Sequence, residues 1–376
     1  MLTGRIRSSF IAKIMVFLAF FTFLMVLGCV SLYWLSGSQL AGSIVYADEA
    51  KGIPVKVLIL PKFEIGNAEN DFPGEAQLFY EQYCDGCEEI DIPNTTPTSQ
   101  FYFNEDNGVG LLLTGSGKTA AGLSLMSLLS WDAYDFSDVM IVSVGCAGGS
   151  TGLCIYGDVV VVTAACDLEL GHHTSREELE DQEYGLTWFP EDESFNGYKC
   201  ERLNPELCEK VYLLINDCPL RTTEIAKQVL AENYPGEDWI NREPCILKGT
   251  AVTADSYWKG LEDHANAVAA AEYYQCPDPY AVTDMKEVAV MNAAECFGLQ
   301  DRVISLRVVV NLDTFLKNES PERIWLEGQD FDSMVTEESG EALDIFEPGM
   351  NNLFDVGQIV IDAILAGELT GELAGE

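Results

Sequence analysis

Alternating strand-like and helix-like segments predict a large α/β domain, preceded by an N-terminal membrane segment. Three observations carry this reading. Between Leu111 and Asp167 the chain reads LLLTGSGKTAAGLSLMSLL, then MIVSVGCAGGS, then GDVVVVTAACD. Two apolar runs flank a glycine turn that opens into a helix, and a second glycine-rich turn is expected after the second run, the pattern of a βαβ unit. About 325 residues beyond the N-terminus continue the alternation, enough for one large core with insertions. Finally, Arg5, Arg7 and Lys13 precede an uncharged run of 22 residues from Ile14 to Leu35, long enough to span a bilayer.

That run has three membrane readings: an uncleaved anchor, a signal peptide cleaved after Val45-Tyr46-Ala47, or a lipid-modified Cys29. Leu27 and the apolar residues beyond Cys29 fit the last poorly. With positive charge on the cytoplasmic side, each places the chain from about Asp48 onward outside the cytoplasm. The expected organisation is therefore 1–47 as signal peptide or anchor with linker, 48–366 as the α/β domain, and 367–376 as an acidic tail. The membrane is an expected partner through the first of these. A single apolar span cannot line a transmembrane path, so this chain alone is neither channel nor carrier.

Charge narrows the partners further. Beyond residue 47 there are 18 basic residues against 61 acidic ones, a formal −43. Such a field repels nucleic acid and anionic lipid and excludes a nucleic-acid-binding module, whereas a neutral ligand is not repelled.

The elements follow in order. VKVLIL, ending at Leu60, reads as a strand, and Gly74–Tyr83 as a helix. After the βαβ unit an irregular insertion runs from His172 to about Asn204. Helices are expected at Pro205–Asn216 and Thr222–Asn233, the latter with a threonine cap and Glu224 in its first turn. Ala265–Tyr274 and Lys286–Phe297 read as helices, Val303–Val310 as a buried strand, and Phe354–Leu365 as a closing amphipathic helix. Gly117-Lys118-Thr119 ends like a nucleotide phosphate loop, but the glycine that must start that loop five residues earlier is Leu112, inside a strand.

These words, in this order, resemble the nucleoside phosphorylase superfamily: TGSGKTAAGLSLMSLL, VGCAGG and GDVVVV. VKVLILPKFEIG, DLELGHH, KGTAVTADSYWKG, CPDPYAVTDMKEVAVMNAAECFG and DRVISLRVVVNLDTF narrow the resemblance to its purine nucleoside permease branch. It extends from about Val55 to Leu316. The resemblance implies a three-layer α/β/α domain with a mixed, partly barrelled sheet, and a purine nucleoside as ligand. It also implies cleavage of the N-glycosidic bond to phosphate or water, or a binding role in nucleoside uptake without chemistry. A structural surface protein reusing the fold is the third alternative. Inorganic phosphate is the one co-substrate implied, and a homo-oligomer is left open.

The resemblance also assigns candidate residues. Asn311 and Asp313, two apart at a strand end, fall where the superfamily recognises and activates the purine; a plain strand-end turn is the bland alternative. Asp284, Met285 and Glu287 lie in the ribose-binding segment. The superfamily's hydroxyl-accepting glutamate is replaced there by Lys286, which donates and cannot accept. Gly115, Ser116 and Gly117 offer backbone donors at a helix mouth, with Gly148 in the second glycine segment. His172 and His173 are candidate donors to a hydroxyl or phosphate, Tyr257 and Trp258 could stack on a purine, and Arg307 could pair with phosphate. Glu64 and Glu75 are candidates to activate water, and His264 is expected to cap or orient a helix.

Twelve cysteines include Cys29 in the apolar run, leaving an odd eleven. Cys146 and Cys166 read as small buried hydrophobes. A disulfide is expected among Cys200, Cys208 and Cys218, with local pairing or plain thiols at Cys84-Asp85-Gly86-Cys87. No second pair or suitably spaced histidines accompany that C-x-x-C, so no metal is expected.

Overall fold

Among the described residues, nine strands hydrogen-bond into one mixed sheet, and five of them close on themselves. In the computed structural model, residues 52–66, 72–174, 187–190, 200–316 and 340–369 are described. The apolar run at 14–35, much of the insertion after His172 and the end of the acidic tail lie outside them. Among the described residues no helix is long and apolar enough to cross a membrane.

In chain order the strands are β1 (Val57–Leu60), β2 (Gln100–Asn104), β3 (Val109–Leu113), β4 (Met140–Gly149) and β5 (Val159–Asp167). They continue as β6 (Glu201–Arg202), β7 (Ile246–Thr253), β8 (Tyr280–Asp284) and β9 (Val303–Leu312). β9 runs parallel to β4 and antiparallel to β5; β5, β7 and β8 run parallel; and β8 returns antiparallel to β4. That ring of pairings is the barrelled part. β1, β3 and β2 extend the sheet from the other edge of β4, and β6 flanks β5. β1 has neighbours on both edges and all four of its residues are buried, so it reads as an unbroken apolar run and not as an alternating one.

The helices are α1 (Gln77–Tyr83), α2 (Lys118–Leu129), α3 (Pro205–Ile215), α4 (Glu224–Asn233), α5 (Leu261–Tyr273), α6 (Glu287–Cys296) and α7 (Gly340–Leu365). Asn204 caps α3 through bonds from the Glu206 and Leu207 N–H groups, and Thr223 caps α4 through the Ala226 N–H, as its sequence predicts. The two faces of β9 fix the layers. Arg307 reaches Glu287 on α6, while its neighbour Val308 faces Gly349 of α7. α2 packs against α6, and α7 lies with α1, α3 and α4.

Two expectations change. The second glycine segment, Gly145–Gly149, belongs to β4, and the chain turns only beyond it. α7 begins at Gly340 and carries Pro348 within it, whereas the sequence predicts a start at Phe354. Leu369, just beyond α7, is buried in the main core.

Candidate functional site

Three of the segments singled out in the sequence come together where β4, β8 and β9 meet. Their register sets Gly148 opposite both Thr283 and Asn311. A Cβ at Gly148 would lie 2.8 Å from Thr283 Cγ2 and 3.0 Å from Asn311 Nδ2, so the glycine admits these two side chains. Asn311 is half-buried, and its amide makes one long contact, 3.4 Å to the Leu312 carbonyl. Most of its hydrogen-bonding capacity is uncommitted among the described residues. Met285 follows β8 directly and is half-buried.

Asp313 does something different. Its carboxylate is fully buried and accepts from the Thr151 N–H (3.0 Å) and the Tyr280 hydroxyl (2.8 Å). His264 Nδ1 lies 2.7 Å from the same group. β9 ends at Leu312, so Asp313 has left the strand and no longer shares a face with Asn311. His264 sits in the first turn of α5, tying that helix to the end of β9. Burial, with the Asp313 charge beside it, pushes the Tyr280 phenol well above its ordinary value.

The ribose-binding candidates are engaged internally. Asp284 accepts from Thr253 Oγ1 (2.6 Å) and from the N–H groups of Lys286 and Glu287, capping α6. Glu287 accepts from Ser143 Oγ and pairs with Arg307, which also meets Asp284. Arg307 is therefore removed as a phosphate partner: it is 1% exposed and neutralised by two carboxylates. Asp284 is not free to replace the glutamate that Lys286 displaces, whereas Glu287 keeps one buried oxygen, Oε1, with no hydrogen-bond partner among the described residues.

Lys286 is itself buried, donating to the Leu60 carbonyl at the end of β1 and to the Val144 carbonyl in the middle of β4. Burial, reinforced by the Arg307 charge, lowers its pKa to about 7 against the pull of Glu75 and Glu287. Glu75 accepts from the backbone N–H groups of Lys62 (2.6 Å) and Cys146 (2.9 Å). Burial alone would raise its pKa, but Lys62, Lys286 and those two donors outweigh it and hold the carboxyl below its ordinary range. Glu75 is thus a buried, ionised carboxylate beside β4. Glu64 is excluded as its rival, because its two oxygens accept the N–H groups of Ile65, Gly74, Ala76 and Gln77 at the start of α1.

The helix mouth after β3 is also occupied. Asp255 accepts the Lys118 N–H at the start of α2, Gly115 donates to the Lys62 carbonyl, and Ser116 is exposed. Lys118 Nζ meets Asp167 at 2.9 Å and Glu169 at 2.8 Å. An anion bound there would face three carboxylates against one lysine, which disfavours this loop as a phosphate site. His172 and His173 lie on an exposed ribbon paired with Trp188–Pro190, and a ring nitrogen of His173 lies 3.1 Å from the Leu168 carbonyl. Tyr257 is exposed. Trp258 packs at 6.4 Å on Tyr280, and its buried indole N–H meets no acceptor among the described residues. Sequence reasoning left Tyr280 out, because its partner, Asp313, lies 33 positions away.

Residues 54–368 match the family model for purine nucleoside permease. The chain belongs to this family. A probable purine nucleoside permease of Schizosaccharomyces pombe is 26% identical over 174 residues, covering 43% of this chain and half the length of that relative. Similar solved structures include a 5′-methylthioadenosine/S-adenosylhomocysteine nucleosidase of Colwellia psychrerythraea in complex with adenine, 16% identical, with a TM-score of 0.47 over 84% of this chain and 96% of that one. A futalosine hydrolase mutant of Helicobacter pylori is 15% identical, with a TM-score of 0.48 over 82% of this chain and 99% of its own.

Proposed function

We propose that this purine nucleoside permease family member binds a purine nucleoside where β4, β8 and β9 meet, outside the cytoplasm, and cleaves its N-glycosidic bond. The observation that carries the reading is the half-buried Asn311 amide, held over Gly148 beside Thr283 with little else to bond. A carboxamide offers both a donor and an acceptor to a purine edge and, at the imidazole nitrogen, stabilises the departing base. Trp258 supports the same assignment: a buried N–H without an acceptor is costly, and a ligand acceptor would relieve it. Glu75, ionised beside β4, is the group we assign to the sugar side, accepting a hydroxyl or orienting water. Asp313 then positions His264 and Tyr280 and does not act as the acid itself. The occupied helix mouth and the neutralised Arg307 favour water over phosphate as the acceptor.

The test is release of free purine from inosine, guanosine and adenosine by the full chain, with phosphate present and absent. The reading requires purine release without phosphate, and loss of at least tenfold in that rate in Asn311→Ala. A second reading, binding in nucleoside uptake without cleavage, is favoured by Lys286 in place of the hydroxyl-accepting glutamate. It requires calorimetric binding of a nucleoside with no purine released. Neither binding nor release would sink both.

A further inference from the structure

Three cysteines from distant parts of the chain meet on one side of the sheet. Cys166 is a buried residue of β5, Cys200 immediately precedes β6, and Cys276 lies in the loop between α5 and β8. β6 pairs antiparallel with β5, Glu201 opposite Ala165, so the register carried back one residue sets Cys200 opposite Cys166. Cys276 approaches from the other side. Its Sγ lies 2.7 Å from that of Cys200, inside van der Waals contact for two sulfurs, and it also accepts from Cys166.

The loop carrying Cys276 is held for this approach. Gln275 adopts a left-handed φ of 51°, and its carbonyl accepts from Arg202 Nη2 at 2.8 Å. Arg202 thus fixes both the residue before Cys276 and the strand after Cys200. Around the Cys276 sulfur, the Cys166 and Cys200 thiols donate, burial opposes, and the Thr250 hydroxyl and the Arg202 charge assist. The balance lowers its pKa to about 4, making it the thiolate of the cluster.

We propose that Cys200 and Cys276 are a disulfide-forming pair, with Cys166 as the third thiol that exchanges onto Cys276 when Cys200 is removed. The co-reactant is a disulfide: an oxidised dithiol protein or a low-molecular-weight disulfide. The Cys276 thiolate attacks one sulfur of that donor, forming a mixed disulfide and releasing the donor's other sulfur as a thiolate. Cys200 gives up its proton, attacks Cys276 Sγ and expels the second donor thiolate. Two protein thiols are oxidised by two electrons, and one donor disulfide is reduced to two thiols. The bond fastens the start of β6 to the loop leading into β8, four residues before Tyr280. Cys166 and Tyr280 share one apolar cluster, against which Cys200, Cys276 and Trp258 pack. The pairing differs from that expected in the sequence, where Cys200 was grouped with Cys208 and Cys218. Cys208 instead faces the Val162 carbonyl, and Cys218 lies beside Pro219.

The experiment uses the full chain equilibrated with oxidised glutathione, alkylated under denaturing conditions and mapped by mass spectrometry. A peptide linking Cys200 to Cys276 is expected, disappearing on reduction. Cys200→Ser should convert the linkage to Cys166–Cys276, and Cys276→Ser should abolish every linkage within the trio. Full alkylation of both Cys200 and Cys276, or a bond from Cys200 to Cys208 or Cys218, would overturn the proposal. The wild-type map decides the pairing even if a variant fails to fold, and it is independent of nucleoside cleavage.

Discussion

Lys286 illustrates how much one substitution at a family position rearranges. Its ammonium satisfies two buried strand carbonyls inside a cluster that also holds Glu75, Glu287, Asp284 and Arg307. Installing the family's carboxylate through Lys286→Glu would leave those carbonyls without a donor and add a fourth buried acid to Glu75, Asp284 and Glu287. We expect a loss of about 3–5 kcal/mol in denaturant unfolding, not a gain in ribose affinity. The pH dependence has a defined sign. The folded lysine titrates near 7 and the unfolded one near 10.5, so across that window the unfolded chain binds the extra proton. Stability should therefore rise with pH from about 7 to 10.5, and Lys286→Met should flatten that rise in urea titrations at fixed ionic strength. Asp313→Asn tests the positioning role: it leaves Asn311 in place but disturbs Tyr280 and His264, and we expect about 3 kcal/mol lost. Asn311 and Gly148 stand out only through the family resemblance, because a strand-end asparagine by itself reads as an ordinary turn. The engagement of Asp284, Glu287 and Arg307 was not legible in the sequence, because each partner is distant along the chain and burial inverts what a charged residue is free to do.

At the scale of elements, α2 and α7 depart most from their sequence signals. The α2 N-terminus resembles a bare anion cradle, yet Asp255, 137 positions away, accepts its first N–H. Glu169 reinforces the join, bonding Lys118 Nζ, the Asp255 and Ser256 N–H groups and the Ser256 hydroxyl. Burial raises the Glu169 pKa, but Lys118 and these donors outweigh it and bring the carboxyl to about 2. Its contribution to stability is thus complete above its ordinary value of 4.5 and lost as pH falls toward 2. In acid-unfolding curves, Glu169→Gln should weaken the dependence on pH across that interval. α7 extends upstream of Phe354 through Pro348-Gly349, a dipeptide that by itself marks a break. A Cβ at Gly349 would lie 2.9 Å from Val310 Cγ1, so this glycine sets how closely α7 approaches β9. Gly349→Ala should cost about 1–3 kcal/mol by overpacking, measurable as a lowered urea midpoint.

For the whole molecule, the alternation of elements predicted an α/β domain, and the apolar runs located its long strands. Ring closure carried no local signal, since it depends on β9 finding both β4 and β5. The formal charge of −40 acts at this scale as well. Self-repulsion of that size opposes the compact state and is screened by salt, so the melting temperature should rise as sodium chloride is added from low ionic strength. No rise on scanning calorimetry would mean the acids are already compensated in the fold.

Closure by β9 also dictates when the molecule acquires its candidate site. Asn311 arrives on the last strand of the ring, joining partners made well over a hundred residues earlier. A nascent or truncated chain that stops before Val303 would hold the glycine floor and Thr283 but lack the amide above them. Calorimetry should therefore find the proposed nucleoside affinity in the full chain and not in a chain cut before Val303.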